Sequence, residues 1–446
     1  MAKATLARVV AASVLGDVRR RDARARDLLR TSSRLSDLDV RDRAFASRLV
    51  LGVVGASGLL DVVINQHVAR PRLEPKVRDA LRLASFELLF LSTPAQVAVS
   101  QGVELVRGVR PRAAGMANAV LRRVAERDVP RRTLALERVR AHNESVQDLA
   151  LVSGYPAWLV ERVWRERGQE AARDFACSAA EPAPVFVMTN LASCSAQEAY
   201  DLLAQKGLSP RAAQLEGSYV LDAPASLAAS GLLDDALVVV ADLSAQRVAG
   251  LVAPEPGMRV LEVGQGRGTK TILLQSRAIG AGGPAEVVGI DSEAFKVDVS
   301  RRRMSRAGLA QSVCSLVFDA CDLDSSELPP ELRDPFDLVF VDAPCSGTGT
   351  LRRHPEIAWR LGERDVTQLA QLQVRMLVSA SARVREGGRL CYATCSVLRE
   401  ENQDVVRLFL DSEAGREFCV DGKAFVSHPS PQGPDGHFCA CLVRKG

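Results

Sequence analysis

The chain has 446 residues, of which 47% are hydrophobic and 25% are charged. This is the composition of a folded globular protein, and the length predicts two or three domains. The N-terminus lacks the apolar stretch of a secretory signal, and the longest apolar runs, such as residues 49–53, are far too short to cross a membrane. We therefore expect a soluble, cytoplasmic protein with no membrane partner.

The net charge of +4 conceals an uneven distribution along the chain. Residues 1–140 contain 27 Lys and Arg against 14 Asp and Glu, a net charge of +13, whereas the remainder has a net charge of −9. A basic module joined to an acidic one favours a polyanionic partner such as nucleic acid. A helical surface of solvated arginines would give the same count, so charge alone leaves both interpretations open.

All ten cysteines lie at or after Cys177, and none are spaced as C-x-x-C. Together with the presence of only five histidines, this argues against zinc-finger and iron–sulfur sites, and we predict no metal. In a cytoplasmic protein the thiols are expected to be free rather than joined in disulfides.

In chain order, residues 1–140 have apolar side chains at helical spacing and predict an all-α domain. Residues 130–143 have the character of a linker or connecting helix. Residues 145–240 are mixed: a helix is predicted at 158–167, and short β-like runs occur at 185–188 and 237–240. This pattern predicts a small α/β subdomain between two larger domains.

From residue 241 to the end, strands alternate with helices, which predicts a parallel, doubly wound, Rossmann-like sheet. The predicted helices cover 294–307 and 366–384. The fold class is therefore multi-domain, with all-α residues 1–140, small α/β residues 145–240 and Rossmann-like residues 241–446. The five candidate strands lie at 260–263, 287–290, 316–318, 338–341 and 389–392.

The first of these strands runs into the glycine-rich stretch 264–268, read as G-x-G-x-G. Such a turn brings the backbone close to a ligand at a helix N-terminus, while an acid at the next strand end, Asp291, can accept the ribose hydroxyls. Asp319 follows the third strand, where adenine would lie. An adenosine-containing cofactor is predicted, and the glycine spacing makes a nicotinamide the weaker alternative. The candidate cofactor residues are Glu262, Gly264, Gln265, Gly266, Gly268, Lys270, Asp291, Asp319 and Asp342.

Two cysteines follow the last two predicted strands: Cys345 in Asp342-Ala343-Pro344-Cys345-Ser346, and Cys395 in Thr394-Cys395-Ser396. Because strand C-termini line the ligand crevice of an open α/β sheet, we expect both thiols to face one site. Buried cysteines are more often inert small hydrophobes, so a structural role is the alternative.

At these residues a family resemblance emerges. Residues 342–359 (DAPCSGTGTLRRHPEIAW) and 392–402 (YATCSVLREEN) closely resemble the RNA cytosine-5 methyltransferases of the Sun/Nop2 group, and the helical N-terminus resembles the antitermination factor NusB at residues 41–45, 86–88 and 118–123. The resemblance implies an RNA-binding N-terminal domain, an RRM-like small subdomain and S-adenosylmethionine as cofactor. It also implies ribosomal RNA of the small subunit as the substrate, methylated at carbon 5 of a cytosine by a monomer.

The same resemblance assigns roles to individual residues. Cys395 is the nucleophile that bonds to the cytosine, and Cys345 assists breakdown of the adduct. Asp342 hydrogen-bonds the base edge, and Lys270 is an active-site donor rather than a phosphate-loop lysine, since the pattern G-x-x-x-x-G-K is not matched. Arg352 and Arg353 suit RNA phosphate contacts, with surface salt bridges as the alternative.

The chain departs from the family in the first cofactor loop. Where the family has D-x-C-A-A-P-G-G-K-T, residues 262–271 read EVGQGRGTKT. The longer acid Glu262 stands in place of the aspartate, and Arg267 stands in place of the proline. The departure supports one rival, a NusB-like RNA-binding protein with a degenerate catalytic domain. A DNA cytosine-5 methyltransferase is a second rival, in which Cys345 would be the nucleophile, and the Thr394-Cys395-Ser396 motif favours the RNA group over it.

Overall fold

The computed structural model describes residues 3–446, and the chain forms two compact units. Of the described residues, 3–182 and Thr350–Gly362 form the first unit, and Ala183–Gly349 and Glu363–Gly446 form the second unit. The chain therefore enters the first unit a second time, directly after Gly349. Three helices between residues 146 and 178, which the sequence analysis groups with the small subdomain, lie in the first unit. The functional boundaries at residues 140, 145 and 241 stay a prediction.

The first unit is helical, as predicted, and residues 130–143 largely form a helix within it. Local chemistry explains several helix starts: Asp39 accepts a hydrogen bond from the Asp42 amide, and Ser145 and Asp148 form a reciprocal capping box. The helices are α1 (Leu6–Arg21), α2 (Ala25–Thr31), α3 (Ser33–Ser36), α4 (Val40–Gly55), α5 (Ser57–His67), α6 (Pro75–Phe90), α7 (Ala95–Val109), α8 (Ala114–Arg123), α9 (Val129–Arg140), α10 (Val146–Ser153), α11 (Ala157–Arg167) and α12 (Gln169–Ser178).

A single hydrophobic core joins α1, α4, α5, α6, α7 and α8, with Leu49, Leu60 and Leu81 fully buried. Arg8 forms a buried ion pair with Glu87 at 2.6 Å. Part of the positive charge of this region therefore serves the fold itself. Among residues 3–446 no single helix is long and apolar enough to cross a membrane; α4 and α5 together meet the test by length and composition, but they are bent by 79°.

The second unit contains a small four-stranded antiparallel sheet with the strand order β2-β3-β1-β4. The β-like runs predicted at 185–188 and 237–240 are confirmed as two of its strands. Helix α13 (Ala196–Gln205) begins at a capping box formed by Ser195 and Glu198. The strands are β1 (Val185–Thr189), β2 (Pro210–Ala212), β3 (Ser218–Leu221) and β4 (Val238–Val240).

The larger sheet has seven strands in the order β10-β11-β9-β8-β5-β6-β7. All five predicted strands are present and run parallel to their neighbours in this group. The strands are β5 (Arg259–Val263), β6 (Glu286–Asp291), β7 (Val313–Val317), β8 (Phe336–Asp342), β9 (Val384–Thr394), β10 (Phe418–Val426) and β11 (Phe438–Arg444). The helices of this part are α14 (Leu243–Val252), α15 (Thr269–Gly280), α16 (Ala294–Arg306), α17 (Pro330–Arg333), α18 (Ile357–Arg360, in the first unit), α19 (Glu363–Ser381) and α20 (Gln403–Asp411).

The prediction of a wholly parallel sheet is wrong at one edge, because β11 pairs antiparallel with β9 and β10 pairs antiparallel with β11. The two strands follow each other without a crossover helix, and parallel pairing would require one. The central strands β5 and β8 are buried almost along their whole length, and β9 is buried from Leu390 to Thr394, as near-continuous apolar runs predict. The C-terminal ends of β5 to β9 meet at one edge of the sheet.

The expectation of free thiols throughout is wrong for one pair. Cys391 on β9 and Cys441 on β11 are direct partners in the strand register, with Cα atoms 4.2 Å apart, and form a disulfide. The other eight cysteines, all within the described residues, are free. The 50 residues that separate the pair in sequence gave no sign that strand register would bring the two side chains together.

Candidate active site

The loop after β5 is shaped by three glycines with left-handed backbone conformations: Gly264, Gly266 and Gly268 have φ values of 79°, 59° and 76°. A Cβ on Gly264 would lie 2.3 Å from the Asp342 carbonyl oxygen, and one on Gly268 would lie 2.7 Å from Ser300 Oγ. Glycine is therefore required by both conformation and space. Gly268 caps α15, whose first amide groups form a site suited to a polar ligand.

Two predicted cofactor residues, Glu262 and Gln265, have buried side chains beneath this loop. Gln265 Nε2 donates to Thr271 Oγ1 at 3.2 Å, and Thr271 Oγ1 donates to Glu262 Oε2 at 2.6 Å. The Gln265 amide occupies the space left open by Gly289, where a Cβ would lie 2.2 Å from Gln265 Cδ. Burial raises the pKa of Glu262 to about 8, against the lowering effect of the Thr271 hydrogen bond. These two side chains support the loop from the interior.

The acids at the next strand ends are tied to backbone amides. Asp291 Oδ2 accepts from the Gly266 amide at 3.0 Å, and its Oδ1 accepts from the Glu293 amide at 2.9 Å. Asp319, two residues after β7, accepts from the Cys321 amide at 2.9 Å. A Cβ on Gly266 would meet nothing nearer than the Gly264 carbonyl, at 3.9 Å. Carboxylates, open space over the loop and a helix N-terminus together fit an adenosine cofactor.

Lys270, in the first turn of α15, donates to Asp342 Oδ2 at 2.6 Å. Burial lowers the pKa of Lys270, but the charge and the hydrogen bond of the Asp342 carboxylate, with smaller contributions from the two cysteines, outweigh it, so the pKa of Lys270 is raised. The lysine therefore stays cationic beside both cysteines. The structure thus joins the cofactor loop to the end of β8 through one charge-assisted hydrogen bond.

The two cysteines of the motifs lie together, as expected from their places at neighbouring strand ends. Their Sγ atoms are 3.2 Å apart, and the Cys395 amide donates to Cys345 Sγ at 3.3 Å. The hydrogen bond to Cys395, followed by burial, raises the pKa of Cys345 well above its ordinary value. Cys345 is therefore a protonated thiol that can donate to the sulfur of Cys395.

A buried carboxylate, Glu401, was missed by the sequence reasoning and holds both cysteine loops. Its oxygens accept from the Ser346 amide at 2.7 Å, from Ser346 Oγ and Ser396 Oγ at 2.5 Å each, and from Gln373 Nε2 at 3.1 Å. Burial raises the pKa of Glu401 despite these donors. The available signal was the serine that follows each cysteine, together with the acid pair at the end of the second motif.

A second link between the cysteine loops runs through glycine. The Gly349 amide donates to the Cys395 carbonyl at 2.9 Å, and the Gly436 amide donates to the Gly349 carbonyl at 2.9 Å. A Cβ on Gly349 would lie 2.0 Å from the Gly436 carbonyl oxygen, so only glycine fits this close approach. The backbone four residues after Cys345 is thereby fixed to the backbone of Cys395.

Arg352 and Arg353, predicted to contact RNA, belong to the first unit and are half-buried. Their backbone carbonyls accept hydrogen bonds from the Arg26 guanidinium at 3.0 and 2.5 Å. The structure thus groups these arginines with the N-terminal helices, whereas the cysteines and the cofactor loop belong to the second unit. Within residues 3–446 no group of three or more His, Cys, Asp and Glu side chains could hold a metal ion.

Comparison with known families gives two matches. Residues 249–431 match the model of the 16S rRNA methyltransferase RsmB/F family, and residues 5–126 match the NusB family. The first match covers the glycine loop, both cysteines and Glu401. The second covers most of the N-terminal helices.

Relatives match this chain over most of their length. Ribosomal RNA small subunit methyltransferase B of Thermus thermophilus is 34% identical over 405 residues, covering 90% of this chain and 87% of the relative. The enzyme of the same name from Xanthomonas campestris is 31% identical, covering 91% of this chain and 90% of the relative. The crystal structure of PH0851 shares the fold, with a TM-score of 0.78 and 21% identity over 99% of both chains.

The resemblance seen in the motifs therefore extends over nearly the whole chain and both units. The glycine loop and the strand-end acids fit S-adenosylmethionine, the cofactor of the methyltransferase region. The chain is a member of the ribosomal RNA small subunit methyltransferase B family, with a NusB-like helical region and a Rossmann-like, S-adenosylmethionine-dependent methyltransferase region.

Proposed function

We propose that the protein methylates carbon 5 of a cytosine in small-subunit (16S) ribosomal RNA through a covalent bond between Cys395 Sγ and carbon 6 of the base. The observation that carries the proposal is the pair of sulfur atoms, 3.2 Å apart, beside the Lys270–Asp342 ion pair. Two thiols and a cation at the C-terminal edge of the sheet suit nucleophilic catalysis. The relatives are named for small-subunit ribosomal RNA, which supports the choice of substrate.

The nucleophilic step belongs to Cys395. Carbon 5 of cytosine is unreactive in the aromatic ring, and addition of the Cys395 thiolate to carbon 6 turns the ring into an enamine whose carbon 5 is nucleophilic. The Cys345 thiol lies 3.2 Å from the Cys395 sulfur and can donate a hydrogen bond to it. S-adenosylmethionine supplies the electrophilic methyl group that carbon 5 then accepts.

Asp342 is proposed to hold the edge of the base. A carboxylate can accept a hydrogen bond from N3 of the ring once that nitrogen has gained a proton, which stabilises the adduct as it forms. Lys270 keeps the carboxylate in place through the 2.6 Å hydrogen bond. The two residues therefore act as one preorganised unit rather than as separate contacts.

Cys345 is proposed to assist breakdown of the adduct. The largest cause that keeps Cys345 protonated is its hydrogen bond to Cys395. When Cys395 forms the thioether, Cys345 has to lose its own proton to solvent water before it can act as a base. The Cys345 thiolate then takes the proton from carbon 5, and the electrons of that C–H bond form the double bond between carbons 5 and 6. The bond between carbon 6 and Cys395 breaks with its electron pair returning to the Cys395 sulfur, and N3 releases the proton that it had gained.

The cofactor is proposed to be held by the loop backbone at Gly264, Gly266 and Gly268 and by the carboxylates of Asp291 and Asp319. Glu262 and Gln265 contribute indirectly, since their side chains support the loop from the interior. RNA is proposed to bind the basic first unit and Arg352 and Arg353, with the target base turned out of its stack to reach the sulfur. The active form is proposed to be a monomer.

The test uses two cysteine variants and a matched control. Cys395→Ser should abolish methyl transfer while S-adenosylmethionine binding changes by less than about twofold, because Cys395 has no part in holding the cofactor. Cys345→Ala should accumulate protein covalently attached to RNA, seen as a slow band on a denaturing gel. Cys419→Ala, at an exposed free thiol on β10, is the control and should behave as the native protein.

Two outcomes would contradict the proposal. Full activity of Cys395→Ser would remove the nucleophile, and a covalent band with Cys395→Ala in place of Cys345→Ala would exchange the two roles, as in a DNA-type enzyme. The rival function, RNA binding by a degenerate methyltransferase, draws on Arg267 in the position of the family proline. It predicts RNA binding without measurable S-adenosylmethionine binding in a calorimetric titration.

A further inference from the structure

The segment Thr350–Gly362 starts directly after the Cys345 loop and is part of the first unit. Its central contact is Trp359, whose Nε1 donates to the Gly55 carbonyl at 2.8 Å and to the Gly154 carbonyl at 3.1 Å. Both acceptors are at helix ends: Gly55 is the last residue of α4, and Gly154 caps α10. The indole thus satisfies backbone carbonyls that a helix end leaves open.

The receiving surface is shaped for this ring. A Cβ on Gly58, near the start of α5, would lie 2.1 Å from Trp359 Cε3, and one on Gly55 would lie 3.2 Å from Pro355 Cβ. We call this slot, bounded by Gly55, Gly58 and Gly154, the tryptophan slot. Such a fit leaves no room for a side chain at Gly58.

Other contacts fasten the same segment on either side of Trp359. The Arg26 guanidinium donates to the Arg353 and Arg352 carbonyls, and Arg360 forms an ion pair with Asp22 at 2.6 Å. These contacts use side chains of α2 and of the turn before it. Every one of these fastenings lies within the first unit, so that unit specifies the path of the segment.

The other end of the segment is joined by the chain to the catalytic cysteines. Gly349 precedes Thr350, and its amide donates to the Cys395 carbonyl at 2.9 Å. Cys345 is only four residues earlier in the chain. A displacement of Thr350 is therefore transmitted through one peptide bond to the backbone link between the two cysteine loops.

We propose that Trp359 is a positioning residue for methyl transfer: by filling the tryptophan slot it fixes the segment that leaves the Cys345 loop, so that the N-terminal helices control the rate of catalysis as well as RNA affinity. The inference rests on the proposed function. A shift of about 1 Å in reacting groups can lower a rate by about a hundredfold, so loosening this segment is sufficient to slow the reaction.

The experiment approaches the contact from both sides. Trp359→Ala empties the slot, and Gly58→Ala fills it from α5, 301 residues away in the chain. Trp359→Phe keeps an aromatic ring but removes the N–H donor. Gly115→Ala is the matched control: this glycine is also helical and in the first unit, and a Cβ there would meet nothing within 4 Å. For each variant we would measure kcat and KM with RNA, S-adenosylmethionine binding and the melting temperature.

We expect kcat to fall by at least about tenfold in Trp359→Ala and Gly58→Ala, with a smaller fall in Trp359→Phe. Cofactor binding should stay within about threefold of the native value, and any rise in KM for RNA should be smaller than the fall in kcat, since Arg352 and Arg353 share the loosened segment. Gly115→Ala should match the native protein. Gly58→Ala keeps the inference testable if Trp359→Ala fails to fold, because it leaves the sequence of the segment unchanged. The melting temperature identifies any loss of folding.

Two results would overturn the inference. One is a native kcat in folded Trp359→Ala and Gly58→Ala proteins; the other is a raised KM for RNA with unchanged kcat, which would make the slot part of RNA binding alone. Failure of the proposed function would look different, because the native protein itself would form no 5-methylcytosine in ribosomal RNA.

Discussion

The glycine loop at residues 264–268 and the cysteine pair Cys345 and Cys395 lie at the same edge of one sheet, yet they are positioned by opposite means. The loop is shaped by missing side chains, since Cβ atoms on Gly264 and Gly268 would strike neighbouring atoms. The cysteines are held by added polar groups, since Glu401 accepts four hydrogen bonds from the residues around them. A loop that contacts a ligand through its backbone therefore needs open space beside its glycines. A reacting thiol needs hydrogen bonds that fix the residues on either side of it.

The largest effect is expected at Glu401. Glu401→Ala leaves buried donors on Ser346, Ser396 and Gln373 without their acceptor and should destabilise the second unit by about 3 kcal/mol or more. Methyl transfer should fall to background while cofactor binding at the remaining folded protein changes little. Glu386→Ala, at an exposed position on β9, is the control and should shift stability by about 0.5 kcal/mol at most. Equal losses of cofactor binding and catalysis would show that Glu401 positions the glycine loop as well as the cysteine pair.

The next effect is a pH dependence at Glu262, beneath the glycine loop. Burial raises the pKa of Glu262 from its ordinary value of 4.5 to about 8, so the folded state retains a proton that the unfolded state loses. The stability that the Glu262 proton contributes is full below about pH 4.5 and is lost as pH rises toward about 8. Glu262→Gln should flatten that decline, checked by denaturant unfolding between pH 5 and 8. An unchanged slope would show that Glu262 is ionised when folded.

A smaller effect is expected at Asp291, which joins the loop to the cofactor. Asp291→Ala removes the acceptor of the Gly266 amide and a carboxylate proposed to bind ribose hydroxyls. Cofactor affinity should fall by one to two orders of magnitude, or about 1.4–2.8 kcal/mol, measured by titration calorimetry. The cysteine pair should be unaffected, so methyl transfer at saturating S-adenosylmethionine should stay near the native rate. A fall in that saturated rate would show that Asp291 also affects the position of the cysteine pair.

The smallest difference is expected between two glycine variants, and it separates the effect of backbone conformation from that of space at Gly264. Gly264→Ala and Gly387→Ala share the strain of a positive φ, at 79° and 66°, but a Cβ meets an obstacle only at Gly264. We expect both to lose about 1 kcal/mol from backbone strain, and Gly264→Ala to lose about 1–2 kcal/mol more through the contact with the Asp342 carbonyl. Melting temperatures of the two variants make the comparison. Equal losses would mean that conformation alone explains the glycine.

The contribution of the first unit to RNA binding is better tested by point variants than by deletion. Deleting its helices would remove Gly55 and Gly58 and leave Trp359 without its slot, so lost activity could not be assigned to lost RNA contacts. Charge reversal at exposed arginines is the sharper experiment, because it leaves the slot intact. Arg112→Glu with Arg127→Glu should make RNA binding less sensitive to salt, by about one unit of slope for each lost phosphate contact. A native slope would show that these arginines are merely solvated.

Features that depend on residues close together in the chain could be predicted from the sequence. Apolar runs predicted all five parallel strands, and the helical spacing of apolar residues predicted the N-terminal helices. The glycine loop, the strand-end acids and both cysteine motifs were also evident, since strand–turn–helix chemistry is local. The convergence of Cys345 and Cys395 followed from a topological rule for parallel sheets rather than from contact information.

Contacts between residues far apart in the sequence became evident only from the tertiary structure. It placed Glu401 between two loops, turned the Glu262 and Gln265 side chains into the interior, and paired Cys391 with Cys441 through antiparallel strands that the alternation pattern did not indicate. It also assigned Trp359, which reads as part of a catalytic motif, to a slot between helices of the first unit. The physical reason is that periodicity and turn chemistry act over a few residues, whereas strand register, burial and the fit of one ring against a glycine are settled only when the whole chain packs.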